Sequence, residues 1–364
     1  LDRWVETPEG ANDVAARLIR CAIKGDIKQV RQVLKSDAVD KISETDWNMA
    51  FRAAVNRGHA EIVEEMIAFG SKPDATRFEA FQDGSFHGET FLSDAIDSGH
   101  ADVVRVLLHS GIDLEKMRED ETCPLTSACR KGRIDIVKLL LDKGAPANDG
   151  SALVAAAGGS YLPGHGGGHL DVVKVLVENG ADVNAMSGDC LDPTGDFLLT
   201  ALQVAAREGH LELVRYLLEK GADPKIEMIV NGVTCGENAV TLAAWKGHTS
   251  IVQLFLDKGA DINKPASTGM TPLMAAASGD RLETVEYLLA RGANINAAEE
   301  HGNTPLFYAL RKHNPALVKL LLERGADPNL KNGKGFTVLD IAERHNLKEI
   351  AELLEAARSK QEPK

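Results

Sequence analysis

The chemistry-bearing pair that recurs most in this chain is histidine after glycine, at His59, His100, His169, His210 and His248. Imidazole is a common general base and metal ligand near neutral pH, so a matched set of them invites a catalytic or metal-binding reading. The spacing argues against both. These histidines occupy one position of a longer repeat and are spread along the chain, whereas a metal centre needs ligands that converge rigidly. His165 and His169 flank Gly166, Gly167 and Gly168, a stretch too glycine-rich to hold two ligands still. Asp189, Asp192 and Asp196 lack the spacing of a calcium-binding loop and read as a solvated acidic segment. No GxSxG, Walker loop, HExxH or CxxC is present. The remaining catalytic candidates are His87, in an aromatic insert, and Asp94, where most copies of the repeat carry a small or apolar residue. Asp94 either tilts to solvent or pairs with a neighbour. No metal and no cofactor is called for.

The elements that would position these residues are clearest from Thr200 to Lys225, TALQVAAREGHLELVRYLLEKGADPK. Thr200 can cap a helix start by accepting a backbone N–H. A short first helix over Leu202 to Glu208 would end at Gly209. A second, from His210 to Lys220, carries Leu211, Val214, Leu217 and Leu218 as an apolar stripe at helical spacing. Gly221 then stops it. Ala205 and Ala206 stand where a larger side chain would hold neighbouring helices apart. One such unit cannot bury its own apolar faces and needs copies on both sides.

The copies are present. The terminator recurs as GADVN at Gly180, GADPK at Gly221, GADIN at Gly259, GANIN at Gly292 and GADPN at Gly325, and earlier as GSKPD, GIDLE and GAPAN at Gly70, Gly111 and Gly144. From Gly259 to Gly292 to Gly325 the step is 33 residues. The cap recurs as TPL at Thr271 and Thr304 and as CPL at Cys123. This pattern resembles the ankyrin-repeat family, whose period is 33 and whose signature is T-P-L-H-x-A. The resemblance covers nearly the whole chain. It implies an all-α solenoid of about ten helix-turn-helix units with β-hairpin or finger loops. It also implies a structural role for the glycine-histidine pairs. The expected layout is a lead-in over 1–11, one solenoid over 12–358 and a tail over 359–364, with the last helix running from Leu347 to Arg358.

Composition limits the partners. The net charge of −13 argues against nucleic acid and anionic membrane as main partners. It favours a protein with a basic or neutral surface. No apolar run approaches a membrane span. Five cysteines in a chain with an ample core read as intracellular thiols, hence a cytoplasmic or nuclear protein. Cys190 and Cys235 lie in adjacent fingers, and the sequence leaves open whether they pair. The chain opens on Leu1 rather than methionine, so the native start is expected upstream.

Departures from the repeat mark candidate binding regions. About eight extra residues precede Thr90, and the insert holds Phe78, Phe81 and Phe86. Such residues either fold back and bury or form a contact surface. Repeat 5 carries a glycine-rich insertion at 158–167. A second long finger, before Thr200, holds Asp189, Asp192 and Asp196 with Leu191 and Phe197. A third carries Asn231-Gly232 between β-prone runs, a hairpin signal. In repeat 9, Asn314 can cap a helix that starts at Pro315.

The residues just before the inter-helix glycine vary between repeats and partly face the concave side. They include Arg130, Lys131, Arg207, Trp245 and Lys246. Cations there suit the helix dipole, whereas Trp245 has no such reason. It is either covered by the neighbouring hairpin or a binding anchor. The expected function is protein recognition on the concave face and long fingers of repeats 3 to 7, and the sequence leaves open whether any catalysis occurs. Two alternatives stand: a small-molecule or enzymatic site closed over by the fingers, and a regulatory segment of a larger chain.

Overall fold

The computed structural model describes residues 14–70, 76–80, 86–112, 114, 123–148, 150–158, 168–188 and 197–361. The lead-in 1–11, Phe81, the loop 159–167, the acidic segment 189–196 and the end 362–364 lie outside the described residues. The chain divides into two compact units, Leu1–Ala152 with Asp171–Gly180, and Leu153–Leu170 with Ala181–Lys364. Repeat 5 is split between them. Most of its first helix, Ser151–Gly158, falls in the second unit, and most of its second helix, Leu170–Glu178, in the first.

In the first unit, helix pairs follow one another as Val14–Lys24 with Ile27–Leu34, Glu44–Asn56 with Ala60–Phe69, Phe91–Ser98 with Ala101–His109, and Pro124–Arg130 with Ile134–Asp142. First helices pack on first helices and second on second. The second unit repeats the scheme through Ala201–Glu208 with Leu211–Glu219, Ala239–Lys246 with Thr249–Asp257, Pro272–Ser278 with Leu282–Ala290, Pro305–Leu310 with Pro315–Glu323, and Val338–Arg344 with Lys348–Gln361. The last helix passes the expected Arg358, and the Ser359 hydroxyl donates to the carbonyls of Glu355 and Ala356. Ala205 and Ala206, with Ala243, Ala244, Ala276 and Ala277 in the next repeats, are completely or almost completely buried, which lets first helices approach closely.

Three local devices explain the recurring motifs. The first is the cap. Gln203 donates its N–H to Thr200 Oγ1 at 3.2 Å, and the Thr200 N–H donates back to Gln203 Oε1 at 2.7 Å, a reciprocal capping box. Asn314 caps Pro315–Glu323 as its position predicts.

The second device is the glycine-histidine pair. His59, His100 and His248 each place Nε2 against a backbone oxygen of the preceding repeat, that of Ile23, Asn56 and Arg207, at 3.2, 3.0 and 2.9 Å. The His248 ring lies on Gly209, where a Cβ would stand 2.6 Å from it, and Gly209 also has φ +91°. Both facts demand glycine there. These histidines are thus inter-repeat ties.

The third device is the terminator. In GADVN, Asp182 accepts the N–H of Asn184 at 2.9 Å, and the Asn184 amide oxygen accepts the N–H of Asp223 in the next repeat at 2.8 Å. Asn263 and Asn296 make the same bridge to Asn294 and Asp327. The conserved shape of the motif is therefore a chain of Asx turns, each satisfying backbone in its neighbour.

Strands come from the fingers. In the first unit, β1 (Thr76–Ala80) pairs antiparallel with β2 (Phe86–Thr90). In the second, β3 (Met186–Gly188), β4 (Phe197–Thr200), β5 (Glu227–Val230) and β6 (Val233–Asn238) form one antiparallel sheet in that order. β5 and β6 are the hairpin signalled by Asn231-Gly232, both with positive φ, +50° and +76°. The pairing of β4 with β5, through Phe197 with Val230 and Leu198 with Ile229, joins two fingers into one sheet.

Candidate protein-interaction site

The sheet of the second unit is tied to its helices by one buried side chain. Gln203, 1 % exposed, caps its own helix with Oε1 and donates Nε2 to the carbonyls of Ile226 at 3.0 Å and Glu237 at 3.3 Å. It thus holds the bases of β5 and β6. Sequence reasoning passed over it, although its place in the cap motif, where the signature has histidine, carries the signal. At the same end of β6, next to Glu237, Asn238 caps the helix Ala239–Lys246 through the N–H groups of Val240 and Thr241. Strand, cap and helix are therefore continuous up to Trp245.

Trp245 is 40 % exposed, so the hairpin leaves it accessible. The Lys246 ammonium stands 4.9 Å from its ring centroid, a cation–π contact. Its backbone oxygen accepts the Arg281 Nε–H at 3.0 Å. Arg281 here takes the place that histidine holds in other repeats. The counterpart of Trp245 one repeat earlier is Arg207, whose Nε stands 2.8 Å from Glu208 Oε1. Burial pushes the Glu237 carboxyl up from its ordinary range, and the Arg207 charge partly counteracts this. The site thus joins an aromatic surface, two basic residues and a carboxyl that burial disfavours as an anion.

The first unit uses its candidates differently. Asp94 accepts from Arg52 through both oxygens, at 2.6 and 3.3 Å, with side chains 15 and 18 % exposed. Of the two readings of Asp94, the structure shows the pair. Lys131 Nζ stands 2.9 Å from Asp97, which also accepts from Ser127. Arg130 ends the helix Pro124–Arg130 and is half-buried. Phe78 lies in β1, Phe86 and His87 in β2, and Phe197 in β4, but their side chains, with that of Cys235, lie outside the described residues. Among the described residues, no group of three His, Cys, Asp or Glu could hold a metal, and no helix is long and apolar enough to cross a membrane.

The family model for ankyrin repeats in three copies matches residues 18–118, 113–187, 165–266, 240–332 and 298–362. A putative ankyrin repeat protein of fowlpox virus is 27 % identical over 146 residues, 40 % of this chain and 31 % of the viral protein. The Arabidopsis thaliana E3 ubiquitin-protein ligase KEG is 29 % identical over 117 residues, 31 % of this chain and 7 % of the ligase. An ankyrin repeat and KH domain-containing protein of Caenorhabditis briggsae is 31 % identical over 149 residues, 40 % of this chain and 5 % of that protein. The matched segments span less than a third of each relative's length. Ankyrin repeats are generally protein–protein interaction modules. By its cap, its paired turns and the family match along nearly its whole length, the chain belongs to the ankyrin-repeat family.

Proposed function

We propose that this chain is a protein-binding module whose partner surface in the second unit comprises the finger sheet β3 to β6 and the helix ends at Arg207, Trp245 and Lys246. The observation that carries the reading is the 40 % exposure of Trp245 on a rigid helix end directly continuous with β6. A large aromatic on a preorganised scaffold gives contact area at low ordering cost, the usual character of a binding anchor. The β4–β5 pairing supports the same reading, because it turns two loops into one platform. The partner is a protein with basic or neutral surface, since the finger before Thr200 holds Asp182, Asp189, Asp192 and Asp196 without lysine or arginine. Its association should slow as salt rises. An on-rate that is flat across salt would remove the acidic fingers from the reading. Comparing the proteins captured by the wild-type chain and by Trp245→Ala tests it directly.

A further inference from the structure

A second surface, of opposite charge, lies in the last two repeats. It is a groove of about 410 Å3, with an apolar floor that includes Leu310, Ile341 and Leu347 and a rim that includes Arg311, His313 and His345. Tyr308 and Asn303 add polar groups to the wall, and among the described residues no acid lines it, in a chain whose net charge is −13. The acid that acts on Tyr308 through space is Glu299. Its oxygens are already occupied by the N–H groups of His301 and Asn303, at 2.8 and 3.0 Å, and by their side chains. Among the described residues, Arg311 makes no ion pair.

The repeat rule is broken at this groove. In most earlier repeats the turn position is glycine, and a histidine or arginine of the next repeat lies on it, as His248 lies on Gly209 and Arg281 on Gly247. His313 fills the glycine position with φ +53°, and the next repeat offers Leu347 in place of the histidine. A side chain therefore stands where most other turns have none, as Asp280 does one repeat earlier, and both His313 and Leu347 line the groove. His345 follows one repeat later, as the C-cap of Val338–Arg344.

We propose that this groove binds an acidic peptide segment of a partner protein. A carboxylate would take the Arg311 guanidinium in two parallel N–H bonds, with the imidazole N–H groups of His313 and His345 as further donors. An apolar side chain next to that carboxylate would rest on Leu310, Ile341 and Leu347. This goes beyond the function proposed above, since the finger surface favours a basic or neutral partner and this groove an acidic one.

The test is fluorescence anisotropy of the full chain with a labelled short peptide of alternating glutamate and leucine, and with its lysine-leucine counterpart. The acidic peptide should bind and the basic one should not, and binding should weaken as salt rises. Arg311→Glu should weaken binding about tenfold or more, and Arg311→Lys should restore part of it, because lysine lacks the planar fork. Trp245→Ala and the outer-helix change Lys174→Glu should leave it unchanged, which keeps this outcome separate from that of the finger surface. Equal or tighter binding of the lysine peptide would overturn the proposal. So would wild-type affinity in Arg311→Glu, or Arg311-dependent self-association by ultracentrifugation without peptide, which would make a second copy the occupant. If thermal melting shows Arg311→Glu unfolded, Arg311→Gln and His345→Ala decide by the same readout.

Discussion

The two units use the polar positions of their first helices differently. In the first, Asp94 is held by Arg52 and Asp97 by Lys131, so polar residues of neighbouring first helices are used on each other. In the second, Trp245 is exposed beside Lys246, and Arg311 stands in a groove without an acid. The same helix pair thus carries ion pairs between repeats in one region, and in the other an ion pair within one helix, Arg207 with Glu208, beside accessible aromatic and cationic groups. Position in the motif sets where a side chain stands. Whether it holds the stack or faces outward depends on the residue one repeat away.

The largest expected effect breaks the first half of this comparison. Asp94→Ala would leave the Arg52 charge half-buried without its main partner. We expect a loss of about 2–3 kcal/mol, less than for a fully buried pair because both side chains keep some solvent. Chemical denaturation measures it, and an unchanged midpoint would mean that the pair is not structural. Packing between first helices should be equally tight wherever the repeat is regular. Ala206→Leu and Ala277→Leu, both at completely buried positions, should each cost about 1–3 kcal/mol by overpacking. A thermal midpoint that does not move in either would count against the register of the stack.

Fingers give the next contrast. The described strands of the fingers of repeats 6 and 7 pair their backbone in a sheet, whereas the finger of repeat 9 relies on the Glu299 carboxylate. Burial alone would push that carboxyl up, but hydrogen bonds from His301 and Asn303 outweigh it, so the net displacement is downward. The stabilisation is therefore whole above the ordinary glutamate pKa and is lost as the pH falls through the lower folded value. Glu299→Gln should cost about 1–2 kcal/mol at neutral pH and flatten the acid limb of the stability curve. Melting curves from neutral to acid pH check this, and an acid limb as steep as the wild type's would show that the carboxylate is not the tie. The smallest effect belongs to the hairpin. Gly232 has φ +76° but open space around it, so Gly232→Val should cost about 1 kcal/mol of backbone strain and no packing.

Much of this fold is legible in the chain because each motif residue has a local duty. Thr200 and Asn314 cap, Asn231-Gly232 turns, and Asp182 closes an Asx turn. All of these act within a few residues. What was not legible depends on residues far apart. The β4–β5 pairing joins two fingers that each read only as a loop or a separate hairpin. The β1–β2 hairpin does carry a turn signal, Asp83-Gly84, but the phenylalanines around it made the segment read as an aromatic insert. Gln203 has a local cap duty, but its second duty, across to Ile226 and Glu237, needs the next finger in place. The partner of Asp94 lies at Arg52, one repeat earlier, so the sequence could offer the pair only as one of two readings. The groove around Arg311 likewise depends on a coincidence between two repeats, His313 in one and Leu347 in the next.

The central claim is that the exposed helix end at Trp245 binds a partner rather than supporting the fold. Quantitative capture from the native source, comparing wild type, Trp245→Ala and the outer-helix change Glu212→Lys, tests it most directly. Trp245→Ala should weaken binding of a captured protein by about 2 kcal/mol or more while leaving stability within about 0.5 kcal/mol of wild type. Glu212→Lys should bind as wild type does. Loss of binding in Glu212→Lys with retention in Trp245→Ala would place the site on the outer helices and contradict the account.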